Sequence, residues 1–586
     1  MDQSLYADLN KLSNDEFKDI TMKSPLRDYL DVDFETQVLS YQERKNNNVF
    51  KVKTNTGEDK DVFIKYITLV DFLKFLIGKY KNEDLTTLPC EGEKENQSKY
   101  EKYINEPNNY AYVDSLFYYA SSVFSKQHNF PHGIPCYDQF ICKKKNCKIN
   151  IADDLEYLCD SNFFNENINK LYSFEDSNIS DLFMTSQKDK LTICEDQISL
   201  DNIEEIQIDS EEKKSSLCDI SCSECNPLMC NENTNTITDI SNQEEGQSNE
   251  ENSQSDDEDS YSDDSKSDVV HTSDEDEDDE DDDDDDEDDD EDDDEDGDED
   301  DDEDGEEGEE GEDDEDDEDY EDSEQSDDSE DEEDVILYIH EIPTQVVVLE
   351  KCEDTLDSLL EKDELSTEEL ESAIFQIITI LYTYQKVFQF THNDLHTNNI
   401  MYTNTNKTHL VYTIKNKTYK IPTFGKIYKI IDFGRAIYTY QNKLMCSDSF
   451  STNGTAYTQY NFGPYYNPKK PVLEPNYSFD LCRLACSMFD FICDDIQNIQ
   501  KYRDATPIHD VIFSWLYDDN GRNMLYRSNG EDKYPGFKLY KMISKIVHQH
   551  LPENQYDHPC FQKFISTQEE INHDTMIVAE IDKMIV

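Results

Sequence analysis

Two short stretches hold most of the chain's candidate chemistry. One is His392-Asn393-Asp394-Leu395-His396-Thr397-Asn398-Asn399-Ile400, and the other, further on, is Ile430-Ile431-Asp432-Phe433-Gly434. Transfer of a phosphoryl group from a nucleotide needs a carboxylate to orient the acceptor hydroxyl and take its proton. It also needs a second carboxylate and an amide oxygen to hold Mg²⁺ against the phosphates. Asp394 and Asn399 offer a base and a metal ligand on one loop, and Asp432 offers the second carboxylate at a strand end. Gly434 permits the tight turn that follows.

These residues need a scaffold, and the flanking sequence predicts one. Ser366-Thr367-Glu368-Glu369 has capping-box spacing, and Leu370, Ile374, Ile377, Ile378, Leu381 and Phe388 then recur at helical spacing. Lys426 to Ile431 reads as a strand and Phe479 to Ile492 as a buried helix. Earlier, Asn48 to Thr54 alternates like a strand, Asn55-Thr56-Gly57 supplies a turn, and Val62 to Leu69 is a second strand with Lys65 in its middle. Tyr112 to Phe124 reads as an amphipathic helix. Val335 to Leu349 (VILYIHEIPTQVVVL) predicts one or two buried strands, with Pro343-Thr344 as punctuation.

H-x-D-L-x-x-x-N followed by D-F-G resembles the signature pair of the protein-kinase superfamily. The histidine of Asp394-Leu395-His396 resembles the haspin-type and small-molecule kinase variants. Ile421 to Gly425, KIIDFGRA (Lys429 to Ala436), NYSFDLCRLACS (Asn476 to Ser487) and Tyr534-Pro535-Gly536-Phe537-Lys538-Leu539-Tyr540 are similar to the uncharacterised kinase-like proteins of giant double-stranded-DNA viruses. The resemblance covers Val38 to Asp153 weakly and Val335 to about Leu551 well. It implies an α+β, two-lobed kinase-like fold. It also implies roles: Asp394 as catalytic base with His396 beside it, Asn399 and Asp432 as Mg²⁺ ligands, and Lys65 of Val62-Phe63-Ile64-Lys65 as the phosphate contact. Asp114 would pair with Lys65, Glu106 being an outside candidate. Backbone groups around Glu350 to Cys352 would meet adenine, and Asp480 would brace the catalytic loop. The chain departs from the family in lacking a G-x-G-x-x-G before its first strands, in carrying Asn393 where an activation-phosphate clamp would be Arg, and in having no A-P-E.

Composition sets the limits around this. The net charge of −88 excludes a duplex-DNA binder with a broad basic face. Over half of that charge comes from residues 251–334, which hold 60 Asp or Glu against one Lys. Such a run repels itself and buries little, so it is expected to be disordered. The predicted organisation is residues 1–153 as an N-terminal extension and the first part of a small lobe, and 154–334 as a disordered insertion containing the acidic run. Residues 335–351 would complete the small lobe and hinge, and 352–586 would form the large lobe. The acidic run is read as a solvated spacer, or as a polyanion mimic for a basic partner, with serines in acidic contexts. Cys218, Cys222, Cys225 and Cys230 have a spacing that could close around Zn²⁺, set against reduced, solvated thiols. Cys142 and Cys147 could pair.

The expected function is an ATP- and Mg²⁺-dependent serine/threonine-protein kinase acting on a protein substrate, basic if the acidic run guides it. The alternatives are an inactive kinase-fold scaffold whose acidic arm recruits basic partners, and a small-molecule kinase. No nucleic acid or membrane partner is expected. With no signal-peptide core and no long apolar run, the expected location is intracellular: host cytoplasm or virion, if viral.

Overall fold

In a computed structural model of the chain, the structure describes residues 3–26, 36–85, 87–89, 97–152, 154–176, 335–527, 530–567, 574–578 and 580–584. The acidic run and Cys218, Cys222, Cys225 and Cys230 lie outside the described residues. The fold is mixed α+β. Its first part is an antiparallel sheet of seven strands: β1 (Phe17–Thr21), β2 (Val38–Arg44), β3 (Val49–Thr54), β4 (Asp59–Thr68), β5 (Cys136–Asn150), β6 (Tyr172–Phe174) and β7 (Ile336–Glu350). The order across the sheet is β1-β5-β7-β4-β3-β2, and β6 also pairs with β7.

Strand alternation gives this sheet two buried faces. Val62 and Ile64 of β4 point to one face, where they join Phe50, Phe140, Val346 and Val348. That face is covered by helix α1 (Gln3–Leu12), through Leu5, Tyr6 and Leu9, and by Phe17 of β1. Lys65 points to the other face, which packs on helix α2 (Tyr110–His128). Asn109 caps α2 by accepting the Ala111 N–H at 3.0 Å.

Strands β5 and β7 pair along their whole length, from Cys136 opposite Leu349 to Asn150 opposite Ile336. The second strand is therefore continuous through Pro343-Thr344 rather than broken there. The Pro343 carbonyl accepts from Leu69 N–H at 2.9 Å, so the missing proline N–H faces the β4 side. On that side β4 has just ended, with Thr68 opposite Thr344. A ring without a donor is tolerated at such an open edge.

Order also continues past Asp153. Helices Leu155–Cys159 and Asn162–Asn167 precede β6, and Phe164 stacks on Tyr172 with ring centroids 5.1 Å apart. Gly78, at φ +82°, lets this segment close on the sheet, because a Cβ there would lie 2.4 Å from the Phe163 ring. Residues 154–176 thus belong with the folded unit, and the predicted boundary at Asp153 falls too early. Cys142 and Cys147 are free thiols. Five residues apart on one strand, they face opposite sides and cannot meet.

The remaining part is built on helix α3 (Thr367–Phe388), buried along nearly its whole length and started by the capping box of Ser366 and Glu369. Around it lie the hairpin-like pair β8 (Ile400–Asn404) and β11 (Lys426–Ile430), and the hairpin β9 (His409–Ile414) and β10 (Lys417–Pro422). Strands β12 (Ile437–Tyr440) and β13 (Lys443–Cys446) form a further pair, and β14 (Thr575–Ile577) runs parallel to β9. Helices α4 (Phe479–Ile492) and α5 (Phe537–Ile546) complete the frame of the site. Phe117 of α2 links the two parts, packing against Phe390, Phe433 and Tyr438 with centroids 4.5, 4.6 and 4.8 Å away. No helix among the described residues is long and apolar enough to cross a membrane.

Candidate active site

Lys65 connects three elements. Its Nζ lies 2.9 Å from Asp114 Oδ2 on α2 and 2.8 Å from Asp432 Oδ1 beyond β11. Burial alone would lower the lysine pKa, but the two carboxylates outweigh it and hold the ammonium well above its ordinary value. Asp114 is fully buried. Desolvation pushes its pKa up, against the opposing pull of Lys65. The Asp432 carboxyl, beside the same lysine, is drawn down. Its side chain is 54% exposed, so it has a free side to offer. Backbone bonds lock the arrangement. Phe433 N–H donates to Asp114 Oδ1 at 2.6 Å and Asp432 N–H donates to Tyr118 Oη at 3.0 Å. Tyr118 stands one helical turn after Asp114, and Asp432 holds a left-handed φ of 63°.

The loop between Phe390 and Ile400 is suspended from α4. Both carboxylate oxygens of buried Asp480 accept backbone N–H bonds, from His392 and Asn393, at 2.9 Å each. Asn393, at φ 63°, is fixed by Tyr460 Oη at 2.8 Å and by its own amide donating to Arg435 O at 3.0 Å. An imidazole nitrogen of His392 meets Ile431 O at 2.9 Å. Ile430 pairs with Ile400, and Ile431 N–H donates to Asn399 O at 2.9 Å. The ladder of β8 and β11 therefore sets Asn399 beside the residue preceding Asp432.

Asn399 Nδ2 donates to Asp394 O at 2.9 Å and meets His396 Nε2 at 3.0 Å. Burial lowers the His396 pKa, which favours the neutral ring able to accept that bond. With the amide nitrogen engaged twice, Asn399 Oδ1 is the atom free for a cation. Asn399 and Asp432 supply the hard oxygen donors that Mg²⁺ prefers. Among the described residues no group of three or more His, Cys, Asp or Glu is set to hold a metal.

Glu350 ends β7 and Cys352 follows it. Glu350 N–H donates to Pro135 O at 2.9 Å, and Cys352 O accepts from Lys351 Nζ at 3.1 Å. Glu350 also lies 3.6 Å from Lys429 Nζ, which donates to Pro131 O and Gly133 O at 3.0 and 2.9 Å. Cys352 is mostly buried, and desolvation lifts its thiol to about 11. Glu106 sits in the turn before α2, accepting the Asn108 N–H, away from Lys65.

Lys65, Asp114 and Asp432 are thus brought into direct contact, and Asp394, His396 and Asn399 into one hydrogen-bonded loop. Sequence reasoning missed Tyr118, Lys429, Arg435 and Tyr540. Tyr118 carried a signal, its i+4 spacing from Asp114; Lys429 and Arg435 flank Asp432, but their contacts with Glu350 and Asp394, and that of Tyr540 with Asp394, join distant segments. A comparison with protein-family models gives no match, and none is found among curated proteins.

Proposed function

We propose that this protein is an ATP- and Mg²⁺-dependent protein kinase with a two-lobed kinase-like fold, transferring the γ-phosphoryl group to a protein serine or threonine hydroxyl. The observation that carries this is the Lys65 ion pair with both Asp114 and Asp432. Three segments far apart in sequence converge on one ammonium, and the Asp432 partner keeps an exposed side that a ligand could meet. The sheet order supports it, with Lys65 on a central strand and the β7 end adjacent to it as hinge. By the same reasoning the residues between β6 and β7 are an insertion in the small lobe.

Lys65 would grip the nucleotide phosphates. Asn399 Oδ1 and Asp432 would hold Mg²⁺, which would neutralise phosphate charge. Asp394 would accept the proton of the acceptor hydroxyl as its oxygen bonds to the γ-phosphorus and the bond to the bridging β–γ oxygen breaks, releasing ADP. Removing such a base typically costs ~10²–10⁴ in rate. Turnover of Mg²⁺-ATP and autophosphorylation should therefore fall by that order in Asp394→Asn. Equal activity in wild type and variant, or none in either, would refute the assignment.

One observation favours a second reading, a scaffold that binds nucleotide weakly or not at all. The β2–β3 turn is closed by Asn46, whose Oδ1 accepts from Asn48 N–H at 2.9 Å and Val49 N–H at 2.7 Å. Those donors are spent internally, whereas a Gly-rich loop would aim them at phosphates. Thermal stabilisation by Mg²⁺-ATP separates the two, since a scaffold of this kind would show none.

A further inference from the structure

The Asp394 carboxylate is held from outside its own loop, by a residue the kinase assignment does not use. Tyr540 lies on α5, and its hydroxyl donates to Asp394 Oδ1 at 2.8 Å. The same oxygen accepts from Arg483 Nε at 3.0 Å. Arginine has only donors. The direction of both bonds is therefore fixed, and the single phenolic proton must point at Asp394. The ring itself is clamped. Phe537 stacks on it at 5.5 Å, and the guanidinium carbons of Arg483 and Arg435 lie 5.2 and 5.6 Å from its centroid. Arg435 Nη1 is 3.5 Å from Asp394 Oδ2, beyond hydrogen-bond length.

Resting on the phosphotransferase assignment, we propose that Tyr540 is a positioning residue for the catalytic base. It engages Oδ1, so that Oδ2 is presented to the acceptor hydroxyl, and Arg483 in turn orients Tyr540. The half-buried ring has a guanidinium on each side rather than apolar packing alone, and its hydroxyl has a charged partner in each direction. The geometry does not make Tyr540 an acceptor in cis. Its oxygen accepts from Arg483 while its proton is given to Asp394, so the hydroxyl is engaged in both directions.

The test uses the full chain with Mg²⁺-ATP and myelin basic protein as acceptor, comparing wild type, Asp394→Asn, Tyr540→Phe and Arg483→Met. Phenylalanine keeps the ring contacts and removes only the hydroxyl. A misdirected base is expected to lower kcat roughly 10- to 100-fold. Binding made before the chemical step should be unaffected, so the KM for ATP should stay within about twofold, as should thermal stabilisation by Mg²⁺-ATP. Arg483→Met should lower kcat in the same direction. A Tyr540→Phe enzyme with wild-type kcat, alongside a silent Asp394→Asn, overturns the inference and leaves the kinase assignment standing. A loss of melting temperature with kcat and KM changing together would mark Tyr540 as structural only, and phosphate found on Tyr540 would make it an acceptor; either result overturns the proposal. A wild type without turnover sinks the kinase assignment and the inference together.

Discussion

Lys65 is held between a fully buried carboxylate and a half-exposed one, and that asymmetry has an energetic consequence. Asp114 cannot turn to water if the lysine is lost, whereas Asp432 can. Removing one partner of a buried pair typically costs ~3–5 kcal/mol. Lys65→Met should destabilise the protein by about this much at neutral pH. The deficit should shrink on acidification, because the folded state already favours protonation of Asp114 through burial. Thermal melts of variant and wild type at neutral and mildly acidic pH would read this directly. An equal deficit at both would show that Asp114 is not the group left stranded. At this scale the sequence was informative where spacing is short: Asp394 with Asn399, Asp432 with Gly434, and Lys65 within its strand. Tyr540 was not legible, being 146 residues from the carboxylate it binds. No local periodicity reports a contact made by two elements that meet only on folding.

Among the elements, α2 is tied to the segment after β13. Asp448 Oδ1 accepts the Tyr110 N–H at 2.8 Å, and Asp448 N–H donates to Asn108 O at 2.8 Å. Cys446 N–H adds a bond to Asn108 Oδ1 at 3.1 Å. The helix that carries Asp114 is thus anchored at its N-terminus by the strand pair that follows Asp432. Burial pushes the Asp448 carboxyl from 3.8 up to about 6. Between those values the unfolded chain has released a proton that the folded one keeps. The contribution of this group is therefore present in full below 3.8 and is lost as pH rises through about 6. Asp448→Asn should flatten that part of the stability–pH curve, as followed by melting midpoint across the window. A curve unchanged in slope would show that other groups govern it. Asp138, raised to about 6 by burial beneath Tyr6, adds a slope of the same sign and should remain in the variant. Helix α3 was legible from apolar residues at helical spacing, and α4 and strand β11 as largely apolar runs that are buried on more than one face. The segment 155–174 was not. Its apolar residues, such as Phe163 and Phe164, acquire meaning only from Gly78 and β7, which lie far from it in sequence. The β9–β10 hairpin turns on Lys415 and Asn416, both at positive φ (49° and 60°) with no glycine to announce it.

For the molecule as a whole, the sheet depends on cover from both sides, and one cover is small. Helix α1 and β1 shield Phe140, Val346, Val348 and Tyr41, aided by the Tyr6 hydroxyl on Asp138 at 2.9 Å. Deleting residues 1–21 should expose this apolar face, lowering the melting midpoint and increasing binding of a hydrophobic dye. A truncated chain with wild-type melting would mean the sheet tolerates an open face. The opposite side is built differently, because there the sheet packs on a helix embedded in the main core. The mixed α+β character was readable from the order of strands and helices. The second cover was not, since the polar N-terminal sequence gives α1 only a narrow apolar stripe.

The chain leaves the sheet just after β6 and rejoins it at β7, and these two points touch. Glu175 N–H donates to Ile336 O at 2.9 Å, and Ile151 N–H donates to Val335 O at 2.9 Å. Exit and re-entry are stapled together by the very strands they connect. In genetic terms, the codons between those points form a cassette. Expansion of a repeat, in-frame loss or replacement by foreign sequence would begin and end at the same spot on the surface, with neither strand end displaced. The length of the acidic tract between them is thereby uncoupled from the register in which β6 and β7 pair.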